Sequence, residues 1–155
     1  MLSYITCFYR FVQPHWTEGE LVSLRERLLF HGRQHKLKGL ILLSGEGINA
    51  SFSGTPQAIE ATKTWVRNDL GWQDVLFKDS VSHEPPYLKY KVQFRDEIVT
   101  MGTPGFTPET VTNNHLSPAE FHKLMLQKDT VTLDTRNDYE YEIGKFKGAI
   151  NPNID

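Results

Sequence analysis

Apolar and polar positions fall along this chain in short blocks that can be read one at a time. From Ser3 to Val12 the β-branched and aromatic residues Tyr4, Ile5, Thr6, Phe8, Tyr9, Phe11 and Val12 predict a strand, which Pro14 ends. Leu21, Val22, Leu24, Leu28 and Leu29 then recur at helical spacing behind Thr17, and Glu20 three residues later completes a capping box. An amphipathic helix ending near Gly32 is expected. Leu40 to Leu43 is a short apolar run, Ser44-Gly45-Glu46-Gly47 a turn, and Ile48, Ala50 and Phe52 alternate with polar neighbours, so this stretch predicts a hairpin. Thr55-Pro56 supplies a cap and a proline at the first helical position, with Ile59, Thr62 and Val66 on one face of a helix that stops by Gly71. Val75 to Phe77 and Leu88 to Phe94 are further strand-like pieces, separated by the stiff His83-Glu84-Pro85-Pro86 segment.

The resulting order is strand, helix, strand, strand, helix, strand, with one extra strand piece. It predicts an α+β fold, a ferredoxin-like βαββαβ sandwich in which two helices cover one face of an antiparallel sheet. Residues 1–100 would form this domain. Residues 101–115, with Gly102, Pro104, Gly105, Pro108 and an Asn pair, lack periodicity and are expected to be a linker. Within 116–155, Ser117-Pro118 with Glu120 starts a helix through Leu126, and Thr130 to Leu133 predicts a buried strand ending at Asp134-Thr135-Arg136. One helix and one strand have nothing to bury them, so a second domain is expected to have begun without closing its core.

Composition changes this picture little. The 155 residues are 39% hydrophobic and carry 17 basic and 19 acidic side chains, so no global field points to nucleic acid or a membrane. Before Thr100 the balance is 12 basic to 11 acidic, and after it 5 to 8, so an anion-binding face belongs to the first part. The single cysteine, Cys7, excludes an internal disulfide and multi-cysteine zinc sites and suits a reducing compartment, with the cytoplasm as the expected location. The N-terminus has no secretory pattern, and no stretch approaches the roughly 20 apolar residues needed to span a bilayer.

Candidate chemistry is sparse. The turn containing Gly45, Glu46, Gly47 and Asn49 offers backbone amides to a phosphate, but it lacks the Lys-Ser/Thr ending of a P-loop and leads into a strand, which favours a plain turn. His31 and His35 would share a helix face if the helix passed Gly32. No acidic or cysteine partner completes a ligand set, so no metal site is assigned. Cys7, mid-strand among aromatics, fits a small buried hydrophobe better than a nucleophile. Arg25, Arg27, Arg33, Lys36 and Lys38 cluster about the first helix and its exit. Lys89, Lys91 and Arg95 alternate on the last strand, which puts them on one sheet face as an RNA-backbone contact or as an ordinary solvated edge. The aromatic ribonucleoprotein motif is absent.

The most specific pattern comes late: Asp134-x-Arg136 after a strand, then Glu140-Tyr141, Gly144 and Gly148-Ala149-Ile150-Asn151-Pro152. It resembles the first half of a rhodanese domain, with Lys145 where a histidine is common. Glu46-Gly47-Ile48-Asn49 and Glu97-Ile98-Val99-Thr100-Met101-Gly102 resemble the TrhO (YceA) family of rhodanese-containing tRNA uridine hydroxylases. The resemblance runs over almost the whole chain. It implies an acylphosphatase-like N-terminal domain followed by a rhodanese domain, in a tRNA-binding enzyme that hydroxylates wobble uridine 34 to 5-hydroxyuridine with molecular oxygen as co-substrate. It leaves any further cofactor open. The N-terminal domain is not expected to act as an acylphosphatase, because that enzyme's phosphate-cradling loop has no counterpart. The family's reactive cysteine lies in the rhodanese loop, beyond Asp155, so the chain by itself is expected to bind rather than catalyse.

Overall fold

A computed structural model of the chain describes residues 2–98 and 116–153. The expected linker at 101–115, and the boundary drawn at residue 100, lie outside the described residues. The chain divides into two compact units, the first holding residues 2–98 and the second 116–153.

The first unit runs β1 (Ser3–Phe11), α1 (Glu18–Gln34), β2 (Lys38–Ser44), β3 (Gly47–Gly54), α2 (Pro56–Asn68), β4 (Lys78–Ser82) and β5 (Tyr90–Phe94). Its sheet has the order β4-β1-β3-β2-β5. The first four strands are antiparallel neighbours, with β3 between the two parallel strands that α1 connects. This is the expected split βαβ arrangement. β5 departs from the all-antiparallel expectation, because it lies parallel to β2 at the free edge and makes the sheet mixed.

Alternation assigns the two faces. Phe8 of β1, Ile48, Ala50 and Phe52 of β3, Ile41 and Leu43 of β2 and Val92 of β5 lie on one side and are buried against Leu24 and Leu28 of α1 and Ala58, Ile59 and Val66 of α2. Each large side chain removed from water in this way stabilises the fold by about 1.5–3 kcal/mol. Both helices start as their sequences dictate. Thr17 Oγ1 accepts from Glu20 N while Glu20 Oε2 accepts from Thr17 N (2.8 Å), and Thr55 Oγ1 accepts from Ala58 N (3.2 Å) ahead of Pro56.

Two local expectations are corrected. α1 does not stop near Gly32 but continues to Gln34, and the left-handed position falls on Lys36 (φ 52°). Gly32 serves packing instead: a Cβ there would overlap the Tyr90 ring, whose hydroxyl donates to the Leu28 carbonyl (3.0 Å). The segment Val75–Phe77 is not a strand. Val75 is buried and Phe77 packs edge-on against Phe8 (5.3 Å), so their apolar character reflects loop packing, while the pairing is done by the polar edge strand β4 that follows. The link from β4 to β5 joins opposite edges of the sheet. It crosses the face away from the helices, where Tyr87 Oη donates to Ser51 Oγ (2.7 Å).

In the second unit, α3 (Pro118–Met125) begins at the Ser117–Glu120 capping box as expected, and α4 (Asp138–Ile143) follows. The expected buried strand at Thr130 to Leu133 is reduced to one parallel bridge, Leu133 to Ile150. Val131 and Leu133 stay 67% and 57% exposed, so among the described residues no layer buries the apolar run.

His31 is the buried titratable group of the first unit. Its ring stacks on Trp65 (4.3 Å) and lies 4.4 Å from the ring of His35, while Nε2 is 3.1 Å from Thr62 Oγ1. That hydroxyl donates to the Ala58 carbonyl (2.7 Å), so its oxygen accepts from an Nε2–H tautomer. Burial, reinforced by His35 and opposed by Asp69, pushes the His31 pKa down to about 4. The unfolded ring takes a proton near 6.5, so between these values the unfolded state binds more protons and stability falls as pH drops from 6.5 towards 4. Urea unfolding at pH 5 should show about 2 kcal/mol less stability from this group than at pH 7.5. The slope should vanish in His31→Gln; a wild-type midpoint unchanged over that window would contradict the assignment.

Candidate nucleic-acid interface

The sequence offered two basic groups, and the register shows which of them meet. Arg33 is exposed on the last turn of α1, Lys36 follows in the turn and Lys38 opens β2. Gly39 of β2 pairs with Tyr90, and Gly39 N donates to the Lys89 carbonyl (3.0 Å), so Lys38 and Lys89 stand side by side at the start of the β2–β5 pair. Lys91 is opposite Leu40 and exposed on the same face. Lys38, Lys89 and Lys91 therefore stand together on the sheet face away from the helices, while Arg33 stays on α1 and Lys36 in the turn that follows it. Arg95 does not join them. It lies past the other end of β5, about 13 Å beyond Lys91 at the usual strand rise, where Nη2 donates to Gln93 Oε1 (3.3 Å). Two arginines of the first cluster are committed elsewhere: Arg25 Nε donates to the Val92 carbonyl (3.3 Å) and Arg27 Nη2 to the Asp69 carbonyl (2.7 Å).

The glycine turn is a two-residue hairpin connection, Gly45-Glu46, between paired Ser44 and Gly47. Gly47 must be glycine because a Cβ there would collide with the Arg10 carbonyl across the β1–β3 pair. The turn's polar groups are directed at the protein itself. Glu46 N donates to Ser44 Oγ (3.1 Å), and the Gly45 and Glu46 carbonyls accept from Trp16 N (2.8 Å) and Val12 N (2.9 Å). At the start of α1, the Glu20 carboxylate caps Thr17 N. The turn grips protein instead: Glu46 Oε1 accepts from Ile98 N (2.6 Å), and Asn49 Nδ2 reaches the Ile98 carbonyl (3.5 Å). Glu46, Asn49 and Ile98 belong to the two early segments of the resemblance, so these distant motifs close on one another around a buried Ile98. Nothing in their spacing signalled that contact.

In the second unit, Arg136 Nε and Nη2 donate to the two carboxylate oxygens of buried Asp134 (2.8 and 2.6 Å), and Nη2 also donates to the Gly144 carbonyl (2.6 Å). This bidentate pair holds the Asp134 carboxyl below its usual range. Glu140 Oε2 accepts from Asn137 N (3.3 Å), Gly148 takes the left-handed region (φ 82°), and Tyr141 Oη donates to the Ala149 carbonyl (3.0 Å). Asp134, Arg136, Glu140, Gly144 and Gly148 thus form a clasp that shapes the backbone. Cys7 is half-buried on β1 with its Sγ 3.0 Å from Ser51 Oγ. His31 and His35 do share a helix face, as their spacing allowed, but His31 stacks on Trp65 and lies tilted against His35. The groove between α1 and α2, near 630 Å³, is lined in part by Phe30 and Trp65, which no sequence motif singles out.

Residues 3–98 match the family model described as the UPF0176 acylphosphatase like domain. The chain is similar to two proteins named tRNA uridine(34) hydroxylase. It is 41% identical to that of Teredinibacter turnerae, over 96% of this chain and 45% of the relative, and 42% identical to that of Bdellovibrio bacteriovorus, over 98% and 43%. The chain therefore spans less than half the length of these relatives. Among solved structures, the BLUF protein BlrB in its dark state superimposes with a TM-score of 0.50 at 13% identity, over 60% of this chain and 70% of that one, a likeness of fold alone. The Glu46 clasp lies within the matched span. Glu46→Ala should lower stability by about 1–3 kcal/mol and speed hydrogen exchange at the Ile98 amide, whereas Glu46→Gln, which keeps an acceptor, should retain most of the protection; equal exchange in both variants and wild type would remove the clasp. The match spans more than half of the chain, and the chain belongs to the UPF0176 family through its acylphosphatase-like domain.

Proposed function

We propose that this chain is the front portion of a tRNA-modifying oxidoreductase that hydroxylates wobble uridine 34 to 5-hydroxyuridine, with molecular oxygen as co-substrate. The observation that carries the reading is the 38–42% identity, over nearly the whole chain, to four relatives of that name. In this reading the acylphosphatase-like unit helps hold tRNA through the gathered lysines, and residues 116–153 are the opening of a rhodanese-like domain. The exposed apolar residues of that unit support this, since Leu126, Val131, Ile143 and Phe146 have no layer over them among the described residues. The cytoplasm is the proposed location. No described helix is long and apolar enough to cross a membrane.

The chemistry is assigned outside this chain. A rhodanese-type thiolate needs a cradle of backbone amides, and Cys7, the only cysteine, instead sits on a paired strand beside a serine hydroxyl. The purified chain should therefore leave unmodified tRNA unchanged, and turnover would overturn that statement. In a strain deleted for the whole gene, mass spectrometry of tRNA nucleosides should show loss of 5-hydroxyuridine derivatives; normal levels would favour sulfur transfer or a non-catalytic interaction module. Charge reversal at Lys89 and Lys91 should weaken tRNA binding and reduce its salt slope by about one per lost phosphate contact. Arg95→Glu, at the far end of β5, should have a smaller effect, and equal effects would argue against a localised edge.

A further inference from the structure

The sheet face away from α1 and α2 carries more than the lysines of the β2–β5 edge. Strand pairing sets its residues in rows, and one row runs Lys78, Cys7, Ser51, Leu40, Lys91 from β4 to β5. It ends in an exposed lysine at each edge, about 19 Å apart at the usual strand spacing. Lys38 and Lys89, side by side, extend the positive charge at the β5 side. Asp79, next to Lys78, points the other way and accepts from Lys63 of α2 (2.6 Å). The strand positions on this face include no Asp or Glu, and among the described residues none of the four lysines pairs with a carboxylate. Of the carboxylates in the flanking connections, Glu46 is taken by Ile98 N (2.6 Å) and Glu84 lies exposed in the link. In a chain of net charge −2, that segregation makes the face complementary to a polyanion.

Two aromatic rings stand between the edge lysines. Tyr9 of β1 is 44% exposed and is the diagonal neighbour of Lys78; it meets Phe11 edge to face (6.1 Å), an arrangement that leaves ring surface open. Tyr87, half-buried, is tethered over the middle of the face by its hydroxyl, which donates to Ser51 Oγ (2.7 Å), and Lys89 follows it two residues later. Each edge thus sets a cation beside a ring. A duplex would offer such a face only its phosphates, because its bases are stacked inside, whereas unpaired bases stack on aromatic side chains. We propose that this face binds single-stranded RNA laid across the strands from β5 to β4, with phosphates on Lys89 and Lys91 at one edge and Lys78 at the other, and bases stacked on Tyr87 and Tyr9. The proposal rests on the reading of this unit as an RNA-holding domain and adds to it the strandedness of the ligand and the rings that recognise it.

The test compares ligands on the full chain by fluorescence anisotropy: a short oligouridylate, an abasic oligomer with the same number of phosphates, and a duplex of the same charge. Tyr9→Leu should weaken oligouridylate binding roughly tenfold and leave abasic binding unchanged, and Tyr9→Phe, which keeps the ring, should bind as wild type does. Lys78→Glu, at the opposite edge from Lys91, should weaken both single-stranded ligands alike. If Tyr9→Leu changes neither ligand, or both equally, or if Lys78→Glu changes nothing, RNA does not cross this face, even where variants at Lys89 and Lys91 still weaken tRNA binding and the RNA-holding reading stands. A duplex bound as tightly as the oligouridylate would overturn the single-strand assignment, and polyglutamate of matched charge competing equally well would assign the face to an acidic protein. Wild type that binds tRNA but not the oligouridylate would sink the proposal alone; wild type that binds neither would sink the RNA-holding reading itself.

Discussion

Everything in the first unit hangs on β3. It is hydrogen-bonded on both sides, to β1 and to β2, and its inward residues Ile48, Ala50 and Phe52 are wholly buried under the two helices. A strand in that position has no freedom of register, because a slip of one residue would turn Phe52 and Ile48 to the opposite face and bring Ser51 and Asn49 inside. The turn that starts it is equally constrained. Gly47 lets the backbone pass the Arg10 carbonyl, and Glu46 and Asn49 on either side take hold of Ile98. The same few residues thus set the centre of the sheet and the point where the chain leaves it.

The parts legible in the sequence were those governed by local rules. Thr17 with Glu20, Thr55 with Pro56 and Ser117 with Glu120 placed three helix starts, because capping depends on residues three apart. The alternation of Ile48, Ala50 and Phe52 gave β3 and its buried face. What escaped depends on distant neighbours. Gly32 looked like a helix stop because glycine often is one, but it is required by a tyrosine 58 positions later. Val75 and Phe77 looked like a strand because they are apolar, whereas the strand β4 is polar and two-sidedly exposed, as an edge can be.

The candidate site divides in the same way. That Lys89 and Lys91 share a face follows from alternation, yet their company with Lys38 depends on β5 lying parallel to β2, which the expected antiparallel sheet did not contain. The late motif of the second unit was the most specific in the sequence. Its residues form an ion pair, a helix cap and a left-handed turn, so its specificity is that of a shape.

The link that carries the chain across the open face, from β4 at one edge to β5 at the other, bears on the order of assembly. β2 and β5 are remote in sequence, so their pairing closes a long loop and costs entropy before it returns contacts. Lys38 is made early and Lys89 late, and they become neighbours only when that pairing forms. The concentrated positive edge is therefore a property of the finished domain. A nascent or partly folded chain carries the same lysines dispersed, with less power to capture the nucleic acid that surrounds it during synthesis.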